Sequence, residues 1–126
     1  MFKIGIIEEF QAIHSLKGDF GLENRLHGHS YKVELTIEGG QLDEAGILYD
    51  ISKLRGKLKE ILSYFHYQNL NELEGLRGVN PTVENVCKYI HQRMASTLRN
   101  EGLQGLEVTV WESPTGFASY RESLSN

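Results

Sequence analysis

From Tyr31 to Glu38 the chain alternates without a break: Tyr31, Val33, Leu35 and Ile37 are apolar, and Lys32, Glu34, Thr36 and Glu38 are polar. A period of two fits an extended strand with one buried face and one hydrated face. A helix over the same residues would scatter the four apolar side chains around its circumference. The chain must therefore contain a half-buried sheet. Gly39 and Gly40 end this strand. Residues 2–14 open in the same way, with Phe2, Ile4 and Ile6 on one side and Lys3 and Gly5 on the other. Residues 15–26 are polar and contain glycine, which predicts a loop between the two strands.

The period then changes. Ile51, Leu54, Leu58, Ile61, Leu62 and Phe65 recur at helical spacing after Asp50, a good N-cap. A second helix is predicted after Asn80-Pro81-Thr82, capped by Thr82, with Glu84 favouring its positive end and Val83, Val86, Ile90, Met94 and Leu98 as its buried stripe. Alternation returns at Leu106, Val108 and Val110 against Glu107, Thr109 and Trp111, and a last short strand is expected at residues 118–121. The order is ββααββ, an α+β arrangement. No linker or repeat divides it, so residues 1–126 read as one domain.

The formal charge of −4 disfavours a nucleic-acid partner, which needs a surplus of Lys and Arg. No apolar run approaches the roughly 20 residues of a membrane span, and no signal pattern opens the chain. The single cysteine, Cys87, excludes both an internal disulfide and a multi-cysteine metal site. A cytoplasmic setting is the default.

Three of the five histidines lie close together: His14 ends the first strand, and His27-Gly28-His29 begins the second. Residues two apart in a strand share a face, so His27 and His29 aim two imidazoles at one point. Gly28 between them would let the backbone approach closely. If the two strands pair antiparallel, His14 lands beside them. Three neutral imidazoles with an open fourth position suit a catalytic zinc. Spacing alone leaves a zinc site and scattered surface histidines both open. His91 lies in the second helix beside Gln92 and Arg93 and reads as structural or exposed.

Phe10-x-Ala12-x-His14 with Leu26-His27-Gly28-His29-Ser30-Tyr31 resembles the 6-pyruvoyltetrahydropterin synthase / 6-carboxy-tetrahydropterin synthase family. Leu48-Tyr49-Asp50, Asn80-Pro81-Thr82-x-Glu84-Asn85, Val110-Trp111-Glu112-Ser113 and Tyr120-Arg121 are similar to its motifs in the same order. The resemblance implies the tunnelling fold, an antiparallel four-stranded sheet with two helices on one face that oligomerises into a barrel. It implies His14, His27 and His29 as zinc ligands and Glu112 as the anchor of a pterin ring. A carboxylate can accept two parallel hydrogen bonds from an amino-pyrimidinone edge. Glu112 also continues the apolar face of Leu106, Val108 and Val110, where a carboxylate needs a partner or a ligand.

The departures from the family concern its proton-transfer residues. Glu23 stands where the family usually has a catalytic cysteine, and His66 and Tyr67 stand at its Asp-His pair. Cys87, inside the second helix, reads as a small core residue. Family members with glutamate at this position are associated with cleaving the side chain of dihydroneopterin to 6-hydroxymethyl-dihydropterin. The expectation is a zinc-dependent lyase acting on 7,8-dihydroneopterin or its triphosphate, with Glu23 as general base and His66 or Tyr67 as proton donor. Local packing or exposed loop polarity is the other reading of His66 and Tyr67. The alternatives for the whole chain are 6-pyruvoyl- or 6-carboxy-tetrahydropterin synthesis, in a biopterin or queuosine-type pathway, and a pterin-binding paralogue without catalysis. The resemblance further implies a homohexamer, a dimer of trimers, with sites between subunits.

Overall fold

In the computed structural model, which describes residues 1–124, two long strands form the spine of the sheet: β1 (Phe2–His14) and β2 (His27–Gly39). They pair antiparallel in unbroken register from Phe2↔Gly39 to His14↔His27. Then come α1 (Ile51–Leu62), a two-residue strand β3 (Gln68–Asn69), α2 (Val83–Leu98), β4 (Gly105–Ser113) and β5 (Gly116–Ser123). The sheet order is β3-β1-β2-β4-β5.

The four expected strands are β1, β2, β4 and β5, all antiparallel. The difference is β3, which pairs parallel with Ala12 and Ile13 and makes the sheet mixed and five-stranded. Tyr67 turns the chain onto that edge with φ of 60°, and its N–H donates to the Gln11 carbonyl at 2.6 Å. Two residues are too few for alternation to announce a strand. The last strand is also longer than its expected residues 118–121, because it pairs with β4 from Gly105↔Ser123 to Ser113↔Gly116.

Both helices start where their caps place them. The Asp50 carboxylate accepts from the Ser52 and Lys53 N–H groups, and the Thr82 hydroxyl accepts from Asn85 N–H. They cover one face of the sheet, α1 against β1 and α2 against β4 and β5. On that face Phe10, Tyr31, Val33, Leu35, Ile37, Val108 and Val110 are fully buried against Leu54, Leu58, Val86, Ile90 and Met94. Each such side chain contributes about 1.5–3 kcal/mol of burial. Glu8 pins α1 to β1 through Arg55 and Lys59. The other face is largely polar, with Lys3 and Arg121 paired to Glu38. No helix among the described residues is long and apolar enough to cross a membrane.

His91 is structural: it is 1% exposed, and its Nε2 bonds the Leu106 carbonyl at 2.9 Å. Its polar sequence neighbours point away while the ring enters the core and packs edge-on to Tyr120. Burial holds its pKa below the ordinary 6.5, so the unfolded chain takes up the proton more readily than the folded one. Its stabilising contribution is therefore present above about pH 6.5 and lost as pH falls below that value. In urea titrations of metal-free protein at pH 7.5 and 5.5, His91→Gln should lose less stability on acidification than the wild type. An equal loss in both would remove His91 from the account.

Candidate metal and substrate site

The site begins with the strand register. His14 pairs directly with His27 and Ala12 with His29, so His14, His27 and His29 project from adjacent strands to the same side. One ligand nitrogen from each lies within 4.8 Å of the others. The rings stand edge to face, with centroids 4.5–5.0 Å apart.

Backbone carbonyls orient two of the three rings. His14 Nδ1 lies 2.8 Å from the Pro81 carbonyl and His27 Nδ1 lies 2.7 Å from the Arg25 carbonyl. A carbonyl can only accept, so each Nδ1 facing one carries the proton and leaves the Nε2 lone pair free. The Nε2 atoms of His14, His27 and His29 are buried and have no hydrogen-bond partner among the described residues. Three orphaned, converging acceptors fit a divalent transition metal, whose histidine ligands bind as neutral imidazoles held by just such second contacts. Burial also lowers the pKa of His14 and His29, which favours the neutral ligand form.

Glu112 lies beside the cluster within the same chain. It is half-buried; burial and then the charge of Glu23 raise its carboxyl pKa, while His14 and His27 oppose the rise. Glu23 occupies a short 3-10 turn, Gly21–Asn24, on the loop between β1 and β2. Its charge acts on His29, Tyr31 and Glu112, so the loop brings it to the cluster. Gly18 and Gly21 adopt φ of 127° and 64°, which the loop's tight path requires. Gly28 is different: a Cβ there would make ordinary contacts with Ile13 and the Ala12 carbonyl, and its φ is not positive. Close backbone approach is therefore not its role. Its bare outer face lines a cavity of about 400 Å³ with Gln11, Ile13, Ser30, Tyr67 and Gln68.

Tyr67 shares that cavity with His29, while no hydrogen bond or ring contact among the described residues joins His66 or Tyr67 to the three histidines. His66 Nδ1 accepts from the Gln11 N–H, and the Tyr67 ring stacks on His66 and is 78% exposed. Tyr31, a core residue by its alternation, also borders the cluster. Its hydroxyl is buried 3.4 Å from His14 Nδ1, and burial followed by the Glu112 and Glu23 charges raises its pKa. Its position two residues beyond His29, on the same strand face, was the available signal. Another cavity, about 580 Å³, lies between α1 and α2 near Tyr64, Tyr89 and Arg93, and none of the three histidines lines it.

A model of the family described as 6-pyruvoyl tetrahydropterin synthase matches residues 3–123. A putative 6-carboxy-5,6,7,8-tetrahydropterin synthase of Archaeoglobus fulgidus is 34% identical, with 94% of each chain covered. The solved 6-pyruvoyl tetrahydropterin synthase of Caenorhabditis elegans superposes with a TM-score of 0.85 at 26% identity, over 97% of this chain and 96% of that one. A Plasmodium vivax 6-pyruvoyltetrahydropterin synthase, solved with a catalytic glutamate replaced by alanine, shares the fold with a TM-score of 0.79 at 19% identity, over 98% of this chain and 99% of that one.

Purified chain should carry about one divalent transition metal ion, measured by elemental analysis after desalting. His27→Ala and His29→Ala should lose it, while His91→Ala keeps it. Retention by both ligand variants would dismiss the cluster as a metal site.

Proposed function

The chain belongs to the 6-pyruvoyl tetrahydropterin synthase family, and from that premise we propose that it is a zinc-dependent lyase that cleaves the side chain of a dihydropterin, 7,8-dihydroneopterin or its triphosphate. The observation that carries this reading is the pairing of Glu23 with an absent thiol. Glu23 lies in electrostatic reach of the cluster. Cys87, the chain's sole cysteine, is buried in α2, where its S–H donates to the Val108 carbonyl and burial pushes its pKa up to about 12. The acid–base group available beside the histidines is a carboxylate.

His14, His27 and His29 would hold zinc through Nε2, and the bound ion supplies Lewis-acid polarisation of the substrate's side-chain oxygens. Glu112 holds the pterin ring through paired hydrogen bonds from the amino-pyrimidinone edge. Glu23 takes the proton of the second side-chain hydroxyl. The bond between the first two side-chain carbons breaks, its electron pair enters the pterin ring, and the first carbon then regains a proton. The products are 6-hydroxymethyl-dihydropterin and a two-carbon hydroxyaldehyde. His66 or Tyr67 returns the proton, and since neither bonds the three histidines among the described residues, that role is assigned to the pair from a neighbouring subunit. The assembly is accordingly a trimer or a hexamer of two trimers in the cytoplasm.

The names of the relatives favour a second reading, 6-carboxy- or 6-pyruvoyl-tetrahydropterin synthesis. The Plasmodium vivax protein has a catalytic glutamate, so a carboxylate at such a site is compatible with this fold under either name.

Glu23→Gln keeps size and hydrogen bonding but cannot accept the proton. It should retain zinc and pterin binding while turnover of dihydroneopterin falls by about two to four orders of magnitude. Wild-type turnover in this variant would take the base away from Glu23. Light scattering at micromolar concentration should give a trimer or hexamer; a 14 kDa species would contradict the shared site.

A further inference from the structure

The loop that carries Glu23 has two positive-φ glycines and an exposed surface, yet it is tied to the body of the protein at two of its first three residues, Ser15 and Lys17. Asn71 accepts from Ser15 N–H at 2.8 Å and donates to the Ser15 carbonyl at 2.9 Å. Asn80 repeats the pattern two residues on, accepting from Lys17 N–H at 2.9 Å and donating to the Lys17 carbonyl at 3.0 Å. Between them, Leu16 N–H donates to the carbonyl of Glu23 at 2.9 Å. Asn24 closes the loop on itself, donating to the Leu16 and Gly18 carbonyls and accepting from Phe20 N–H.

A side-chain amide that both donates to and accepts from one residue's backbone does what a neighbouring strand does. Two of them, spaced two residues apart along the loop, extend the ladder of β1 past His14 without an added strand. The second amide is also joined to the metal cluster. Asn80 is followed by Pro81, whose carbonyl orients His14, and the Asn80 carbonyl itself accepts from the Asn85 side chain at the start of α2.

We infer that Asn71 and Asn80 are positioning residues: a pair of amide clamps that fix residues 15–17, and through the Leu16–Glu23 hydrogen bond fix the place of Glu23 in the loop. The inference rests on the reading of Glu23 as the base. Asn80 links the acid–base group and a metal ligand through one two-residue segment. Neither asparagine is placed to touch substrate; each acts through backbone geometry.

The test uses zinc-loaded Asn71→Ala, Asn80→Ala and the nearly isosteric Asn80→Asp, which keeps the acceptor and loses the donor. Amide hydrogen exchange at residues 15–25 should speed up by at least about tenfold in the alanine variants, as expected when a local tie is cut. Zinc content should stay near one per chain. For dihydroneopterin, kcat should fall by about 10- to 100-fold with KM changed less than about threefold, the pattern of a misplaced reacting group on an intact binding site. Asn80→Asp should fall between wild type and Asn80→Ala in both exchange and kcat. Unchanged exchange in the alanine variants, faster exchange with unchanged kcat, or loss of zinc would each overturn the clamp. Glu23→Gln run alongside separates the two ideas: full turnover in that variant defeats the base assignment, whereas loop exchange decides whether the clamp exists.

Discussion

The structure depends on one register. Because β1 and β2 pair with His14 opposite His27 and Ala12 opposite His29, three imidazoles meet on one face. A slip of one residue would turn His27 and His29 to the polar face and expose the Tyr31, Val33, Leu35 and Ile37 row. The burial that stabilises the sheet therefore also assembles the cluster. Carbonyls from two other places, Arg25 and Pro81, then fix the rings of His27 and His14, and the Nε2 atoms of all three histidines have no partner among the described residues.

Much of this was legible in the sequence because it is written at periods of two and 3.6. The alternation of Tyr31 to Glu38 located β2, and the caps Asp50 and Thr82 located both helices. The strand pairing that follows from a 15–26 loop put His14 beside His27. Other features have no period. β3 is two residues long and forms because Tyr67 turns back onto the Gln11 backbone, a tertiary event. His91 looks polar from its neighbours, but a helix face is set by the residues three and four away, and of these Cys87, Met94 and Ala95 are buried. Glu23 was located by resemblance; a carboxylate in a glycine-containing loop carries no signal of its own until the loop's ties are seen. Tyr31 was hidden by its own success as a core residue.

Under the proposed reading, a carboxylate in place of a thiol would change what the site can do. A thiolate is a soft nucleophile and base, and Cys87 is held too deep, bonded to Val108, to serve as either. A carboxylate near a cation stays ionised and takes a proton from a hydroxyl that the cation has made more acidic. Such a pair suits breaking a carbon–carbon bond next to a hydroxyl, provided an electron sink is conjugated to the carbon left behind. A dihydropterin supplies that sink. His66 and Tyr67 stack on each other beside the β1 edge, where His66 accepts from the Gln11 N–H.

The most direct measurement is identification of the pterin formed when the zinc-loaded protein is incubated separately with 7,8-dihydroneopterin and with its triphosphate. The account expects 6-hydroxymethyl-dihydropterin, with a matching yield of the two-carbon fragment, and none of it when His29→Ala replaces the wild type. A 6-pyruvoyl- or 6-carboxy-tetrahydropterin as the main product, or no product at all from zinc-loaded wild type, would contradict it.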